Sequence, residues 1–488
     1  MRNLTELIKN DSTLLSCLTW HDLPVNVSIT GITQHSSRCS KDFLFVAVSG
    51  ATSSSKDGHD FIDDAIANGA SVVVVAHKFN PQKTYQCLLI KAHDTKRALC
   101  HLVEAWHDYP SRHLKVIGIT GTNGKTSTSF MLHSIFAEAG FSPRIMGTLG
   151  VGNPASLEKS SHTTLEPEVS SSLLAKFQKD GATHVIMEVS SHALSLKRCE
   201  AIQFHAVGLT NITPDHLDLH GTMDNYRRAK ARLFTECSNN ETKICLPIHH
   251  QLGTIDRAAI SYGPSPADIA FSDVKVIQGK TQFKLHDGGH TITISLPFLG
   301  NFHVHNATLA ASIARACGIS LEDIAHGLSH TPQIPGRLER VECGQDFLVF
   351  VDFAHTPDGL YSVLSTLKNL KSQKIILVFG CGGDRDQSKR PLMGSIAEKL
   401  ADIVIITDDN PRGENPEHIR SQIRAGMKSM SVIEIANREE AIRHALKTAQ
   451  EGDIVLVAGK GHETHQIYGD LKFDFSDVLV AKKFLRAL

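Results

Sequence analysis

Residues 115–127 read KVIGITGTNGKTS, and this stretch decides the fold. The apolar run Lys115–Thr120 has the composition of a strand buried on both faces. It passes without a linker into the glycine loop Gly121–Ser127, and then into a helical pattern ending near Gly140. Strand, glycine loop, Lys-Thr and helix in that order make a phosphate cradle. Gly121, Thr122, Asn123 and Gly124 allow backbone N–H groups to curl around phosphate oxygens. The helix N-terminus adds partial positive charge. Lys125 can reach the β- and γ-phosphates, the Thr126 hydroxyl can hold Mg²⁺, and Ser127 completes the loop. The general phosphate-loop pattern has a glycine six positions before its lysine, where this chain has Ile119.

Working outward, runs of the same kind recur at Phe43–Val48, Ser71–Ala76, Thr183–Val189, Lys374–Gly380, Asp402–Thr407 and Asp453–Gly459. Helical patterns between them imply βαβ units and parallel sheets. A polar stretch with a proline (Ala105–His113) and the segment TPQIPG (Thr331–Gly336) mark two boundaries. The expected architecture is α/β with three domains: residues 1–110, a central P-loop parallel-sheet domain at 111–335, and a Rossmann-like α/β domain at 336–488. Alternation from Ile269 to Leu296 around Gly288-Gly289 predicts a hairpin attached to the central domain.

Composition excludes several classes of function. With 50 Lys+Arg against 51 Asp+Glu and no long basic run, the chain lacks the charge signature of a nucleic-acid-binding protein. Aromatics at 6% are too few for a base-stacking surface. The cysteines are scattered and form no CxxC pair, which excludes a zinc ribbon and fits free thiols in a reducing compartment. The N-terminal MRNLTELIKND carries charges where a signal peptide needs an apolar core, and no apolar run is long enough to span a bilayer. A cytoplasmic enzyme without nucleic-acid or membrane partners is expected.

Beyond the loop, further motifs follow in a set order: MEVSSHAL (Met187–Leu194), DHLDLHG (Asp215–Gly221), GRLE (Gly336–Glu339), DFAHTPD (Asp352–Asp358), FGCGGDRD (Phe379–Asp386) and DDNPR (Asp408–Arg412). With TGTNGKT (Thr120–Thr126) they resemble the Mur ligase family over essentially the whole chain. The resemblance implies that ATP and two Mg²⁺ ions activate a carboxylate as an acyl phosphate, which an amine then attacks. Within the family the chain is most similar to the members that add meso-diaminopimelate to the D-glutamate γ-carboxylate of UDP-N-acetylmuramoyl-L-alanyl-D-glutamate in peptidoglycan synthesis. It also implies a UDP-sugar substrate domain at 1–110, an amino-acid-binding domain at 336–488, and a monomer.

Site residues follow from the same resemblance. Lys125, Glu188, His216 and Lys230 would be catalytic. Glu188 with Thr126 would hold one Mg²⁺ and His216 a second. Lys230 matches a lysine that reacts with CO₂ to give a metal-binding carbamate. Charge patterning alone reads it as a solvated helix lysine, because Arg227, Arg228 and Arg232 surround it. Asn306 resembles the adenine-side asparagine and Arg337 a phosphate-contacting arginine. Asp352 resembles a ribose or hinge contact. Ser37, Ala51, Thr52, Ser53, Thr163, Thr164, Ser190 and Arg198 match contacts to the UDP-muramoyl dipeptide. Arg385, Asp409, Asn410, Pro411, Arg412, Gly459 and Glu463 match the diaminopimelate site. There Arg412 can clamp a carboxylate bidentately, while Asp409 and Glu463 can hold an ammonium. His303, Leu165, Leu196 and Phe353 depart from the family pattern, which usually has Asn, Pro, Gln and Tyr. Competing readings are a lysine-adding or folylpolyglutamate ligase of the same family, a P-loop ATPase of other function, and an inert nucleotide-binding module.

Overall fold

The computed structural model describes residues 1–19, 26–50, 56–370, 373–429 and 432–487. Every apolar run picked out in the sequence is a strand: Phe43–Val46, Ala70–Ala76, Lys115–Thr120, His184–Glu188, Ile375–Phe379, Ile403–Ile406 and Ile454–Ala458. Each lies in a parallel ladder. Parallel strands are covered by helices on both faces, so both sets of alternate side chains must be apolar. In the loop strand, Ile117 and Ile119 join one core while Val116 joins the other.

The central sheet has ten strands in the order Gly150–Gly152, Pro143–Gly147, His184–Glu188, Lys115–Thr120, Phe204–Leu209, Lys243–Pro247, Ile260–Pro264, Ile269–Ile277, Lys280–Asp287 and His290–Leu296. Helices Lys125–Glu138, Asn301–Ala316 and Leu321–Ser329 cover one face, and Pro167–Lys179 and Met223–Thr235 the other. The phosphate-loop strand lies between His184–Glu188 and Phe204–Leu209. Chain order reverses about that strand, so a crevice opens at the carboxyl ends of all three. The hairpin expected at 269–296 is instead a three-stranded meander continuous with the parallel sheet. Its first turn, at Gln278-Gly279, has left-handed backbone at both residues and carries no glycine pair to announce it.

A six-stranded sheet follows, in the order Glu339–Arg340, Leu348–Asp352, Ile454–Ala458, Ile375–Phe379, Ile403–Ile406 and Ile433–Glu434. Only its first pair is antiparallel. Its strand ends Asp352, Phe379, Ile406 and Ala458 therefore share one edge, and the loops after them converge. The N-terminal sheet has five strands, four of them parallel. It is tied to the central helix Pro167–Lys179 by Gln34, whose backbone N and Nε2 donate to the two Glu168 oxygens at 2.9 and 3.0 Å. All ten cysteines are free. Among the described residues, no helix is long and apolar enough to cross a membrane.

Candidate active site

The phosphate loop is held from behind by the segment after strand Phe204–Leu209. Thr210 Oγ1 and Asn211 Nδ2 both donate to the Asn123 carbonyl, at 2.6 and 3.1 Å, and Thr122 Oγ1 donates to Thr213 O at 3.1 Å. The approach is close enough to require glycine. A Cβ at Gly121, where φ is +146°, would lie 1.8 Å from Thr210 Oγ1, and one at Gly124 would lie 2.3 Å from Asn306 Oδ1. Asn306 is thereby seated against the loop.

Lys125 folds over its own loop, donating from Nζ to Gly121 O and Thr122 O at 2.9 Å each. Burial lowers its pKa, and the nearby negative charges of Glu188 and Asp215 oppose that shift. Thr126 Oγ1 donates to Glu188 Oε2 at 3.0 Å and accepts from Arg337 Nη2 at 3.2 Å. Glu188, 1% exposed, also accepts from Thr148 N at 3.1 Å and from Thr148 Oγ1 at 2.9 Å. A Cβ at Gly147 would lie 2.2 Å from its Oε1. The carboxylate is therefore fixed beside the loop.

Lys230 is not the solvated lysine that charge patterning suggests. It is 1% exposed, and its Nζ donates to Gly121 O at 2.8 Å and lies over the Tyr226 ring at 4.6 Å. Burial lowers its pKa well below the usual lysine range, and the Lys125 charge adds to the shift while Asp215 opposes it. It is not itself among the residues that line the cavity in front of the loop, but its charge is felt by Lys125, Asp215 and His216, which are. His216 has left-handed backbone (φ 54°) and a half-exposed side chain, and its Nε2 lies 3.4 Å from Asp215 Oδ2. Burial lowers its pKa, so the neutral, metal-ligating form is favoured. Among the described residues no three His, Cys, Asp or Glu groups come together as a ready-made metal site. Thr126 with Glu188, and His216 with Asp215, instead offer hard oxygen and imidazole donors that phosphate oxygens would complete.

Two adjoining cavities open in front of the loop. One, of about 300 Å³, is lined by Asn123, Gly124, Ser127, Phe302, Asn306, Arg337 and Asp352. The other, of about 340 Å³, carries Thr122–Thr126, Thr163, Glu188, Ser190 and His216 on one wall and Arg385, Asp409, Asn410, Arg412, Gly459 and Glu463 on the opposite wall. Asp352 accepts backbone N–H bonds from Leu338 at 2.5 Å and Ala354 at 2.7 Å. Those bonds tie the carboxylate to the chain on both sides of its strand end, and the residue also lines the smaller cavity. Burial pushes its pKa up to about 6.

In that opposite wall, Arg412 Nη1 donates to Gly383 O at 2.8 Å, and a Cβ at Gly459 would lie 2.5 Å from Asp409 Oδ2. Asn410 Nδ2 and Lys460 Nζ donate to Glu463 Oε2 at 2.7 and 2.9 Å, and Lys460 also donates to Asn410 Oδ1 at 3.0 Å. Pro411 is buried and does not line the cavity; it shapes the turn. A third cavity, of about 430 Å³, lies against the N-terminal sheet and includes Ser37, Lys56, Lys96, Leu196 and Arg198. Thr164 departs from its expected role. Its hydroxyl donates to Glu188 O and accepts from Ser190 N, both at 2.9 Å, so it braces the Glu188 strand end instead of facing a cavity. Ala51, Thr52 and Ser53 lie outside the described residues.

Sequence reasoning missed Thr148, Asp215, Lys389 and Lys460. The first three line the central cavity, and Lys460, 0% exposed, stands behind Glu463. Lys460 lies between two residues that were named, Gly459 and Glu463, and that position was its only signal.

A nucleotide loop facing the converging strand ends of a second α/β sheet defines a multidomain P-loop enzyme. Residues 28–106 match the Mur ligase family catalytic domain, 119–314 the Mur ligase middle domain, and 336–461 the Mur ligase glutamate ligase domain. A UDP-N-acetylmuramoyl-L-alanyl-D-glutamate–2,6-diaminopimelate ligase of Syntrophomonas wolfei is 41% identical over 494 residues, covering 99% of each chain. A solved structure of a ligase with the same description is 30% identical, covers 100% of this chain and 99% of its own, and has a TM-score of 0.69. The Thermotoga maritima MurF ligase, solved in complex with ADP, shares the fold at 18% identity, covering 88% of this chain and 94% of its own, with a TM-score of 0.63. The chain belongs to the Mur ligase family, whose members form amide bonds at the expense of ATP.

Proposed function

We propose that this chain is a cytoplasmic, monomeric, ATP-dependent ligase that joins meso-diaminopimelate to the D-glutamate γ-carboxylate of UDP-N-acetylmuramoyl-L-alanyl-D-glutamate, one step of peptidoglycan synthesis. The observation that carries this reading is a single cavity in which the phosphate loop faces Arg385, Asp409, Arg412 and Glu463. Residues 1–110 take the UDP-sugar, 111–335 the nucleotide, and 336–488 the amino acid.

The γ-carboxylate attacks the ATP γ-phosphorus and ADP leaves. The amine then displaces phosphate, giving an amide. Both partners of the first step are anionic, so cations must gather where charge develops. Lys125 and Arg337 already lie around Thr126, and Lys125 needs only to exchange two loop carbonyls for phosphate oxygens. Thr126 with Glu188 would hold one Mg²⁺ and His216 a second, and these ions when bound would neutralise phosphate charge. Asn306 and Ser127 line the nucleotide side of the cavity, while Ser190 and Thr163 face the dipeptide. Ser37 and Arg198 belong to the uridine-side cavity. Arg385 and Arg412 supply cationic donors for the distal carboxylate of diaminopimelate, and Asp409 and Glu463 supply acceptors for its ammonium.

L-Lysine lacks the distal carboxylate and would leave the two arginine charges without a counter-ion in a partly buried site, which discriminates strongly. The decisive assay is ATP turnover with the UDP-muramoyl dipeptide, comparing meso-diaminopimelate with L-lysine. Equal use of both, or turnover without any amino acid, would overturn the reading. Arg412→Ala removes a charge-assisted interaction worth about 1.5–3 kcal/mol in all, so KM for diaminopimelate rises roughly ten- to a hundredfold while KM for ATP stays put. Equal rises in both would remove Arg412 from the amino-acid site.

A further inference from the structure

Arg390 is 0% exposed yet charged, and it lines none of the cavities described above. Its two terminal nitrogens grip both oxygens of Glu414 at 2.8 Å, and they also donate to Gly382 O at 3.1 Å and Gln422 Oε1 at 2.6 Å. Glu414 Oε1 in turn accepts from Asp384 N at 2.6 Å, and Asp384 Oδ2 accepts from Gly413 N at 3.0 Å. A further bond runs from Gly383 N to Asn410 O at 2.9 Å. Arg390 and Glu414 thus lace together two loops that follow different strands, 380–388 and 407–415. These loops carry Arg385 and Arg412. In each loop a non-glycine residue holds left-handed backbone, Asp384 at φ 52° and Arg412 at φ 52°. Such backbone persists only where the surroundings over-determine it.

From this lacing, which lies behind the cavity wall, we infer that Arg390 and Glu414 are positioning residues that set the spacing of Arg385 and Arg412 and so select an amino acid with a distal carboxylate. The inference rests on the function proposed above. A guanidinium fork matches a carboxylate only within a narrow geometry, so a small shift of either loop weakens the grip on diaminopimelate without touching the nucleotide. Lysine, having no distal carboxylate, gains nothing from the lacing.

Two variants test this. Glu414→Gln keeps the side chain's size and one acceptor oxygen but removes the charge and two of the four bonds the carboxylate accepts, one of them from Arg390. Arg390→Lys keeps the charge and loses the fork. In each, KM for meso-diaminopimelate rises roughly tenfold or more. The preference over L-lysine falls by a similar factor, and KM for ATP and for the UDP-muramoyl dipeptide is unchanged. A purely structural role would instead lower kcat for every substrate together with the thermal midpoint, leaving the KM values and the preference intact. That result in both variants overturns the inference. If Arg412→Ala raises the diaminopimelate KM but both variants leave it unmoved, the inference fails and the proposed function stands. If the wild-type enzyme does not use diaminopimelate, the proposed function itself falls.

Discussion

Glu188→Gln is expected to cut phosphate release on the order of a hundred- to a thousandfold, about 2.7–4 kcal/mol of transition-state stabilisation, while leaving the thermal midpoint nearly unchanged. The reasoning separates charge from shape. The wild-type carboxylate accepts from Thr126 Oγ1, Thr148 N and Thr148 Oγ1, and it fills the space left by Gly147. A glutamine of the same size can turn its carbonyl toward Thr148 N. Its NH₂ group can donate to the threonine hydroxyls, which accept as readily as they donate. Packing and hydrogen bonding survive, so the fold does too. What is lost is one negative charge beside Thr126, where a cation must be held while phosphate oxygens approach. The measurement pairs steady-state phosphate release with thermal unfolding on the same preparation. A fall of less than tenfold with a folded variant would remove Glu188 from the catalytic set. A large drop in midpoint would show that its role is to hold the strand end.

Much of this arrangement was legible in the sequence, and the parts that were not share a physical cause. Strands buried on both faces announce themselves because no polar residue can interrupt them, and every such run, from Phe43–Val46 to Ile454–Ala458, is a parallel strand. The meander's first turn is hard to see in the sequence because Gln278-Gly279 has only one glycine, whereas Gly288-Gly289 is conspicuous. Residues bonded through their side chains to distant loops left no local trace. Arg390 and Lys460 sit among other charges in SKRP and AGKGHE, and nothing in spacing tells a solvated cation from one with no exposed surface. Lys230 shows the same difficulty, since three neighbouring arginines suggested a wet helix face. The helix Met223–Thr235 turns that one residue inward beneath the phosphate loop. Thr164 erred in the other direction. A Thr-Thr pair looks like two ligand hydroxyls, yet only Thr163 reaches the central cavity, because the second hydroxyl closes a backbone bond at Glu188.

Lys230→Ala is expected to lose activity by about a hundredfold or more, and short carboxylic acids such as formate or acetate are expected to restore part of it. A buried cation next to the Lys125 cation is the wrong sign for the metal-dependent phosphoryl transfer proposed above. Its lowered pKa resolves the contradiction. Burial disfavours the ammonium, so a larger share of the side chain is a neutral amine near neutral pH. A neutral amine adds CO₂, forming an N–C bond and releasing one proton, and the product is an anionic carbamate. That anion would lie beside Lys125 and the glycine loop, where negative charge is stabilised and where a further oxygen donor for Mg²⁺ is useful. The alanine variant leaves a hole of matching size, and a small carboxylate can enter it and supply the same charge. Steady-state turnover across a titration of formate and acetate reads the recovery directly. Chloride at equal ionic strength is the control for simple screening. Recovery by chloride as well as by the acids, or by none of them, would leave Lys230 as a hydrogen-bond donor to Gly121 O and nothing more. An intact mass of the wild-type chain raised by one CO₂, recorded under mild conditions and lost in the alanine variant, would identify the modified amine independently of turnover.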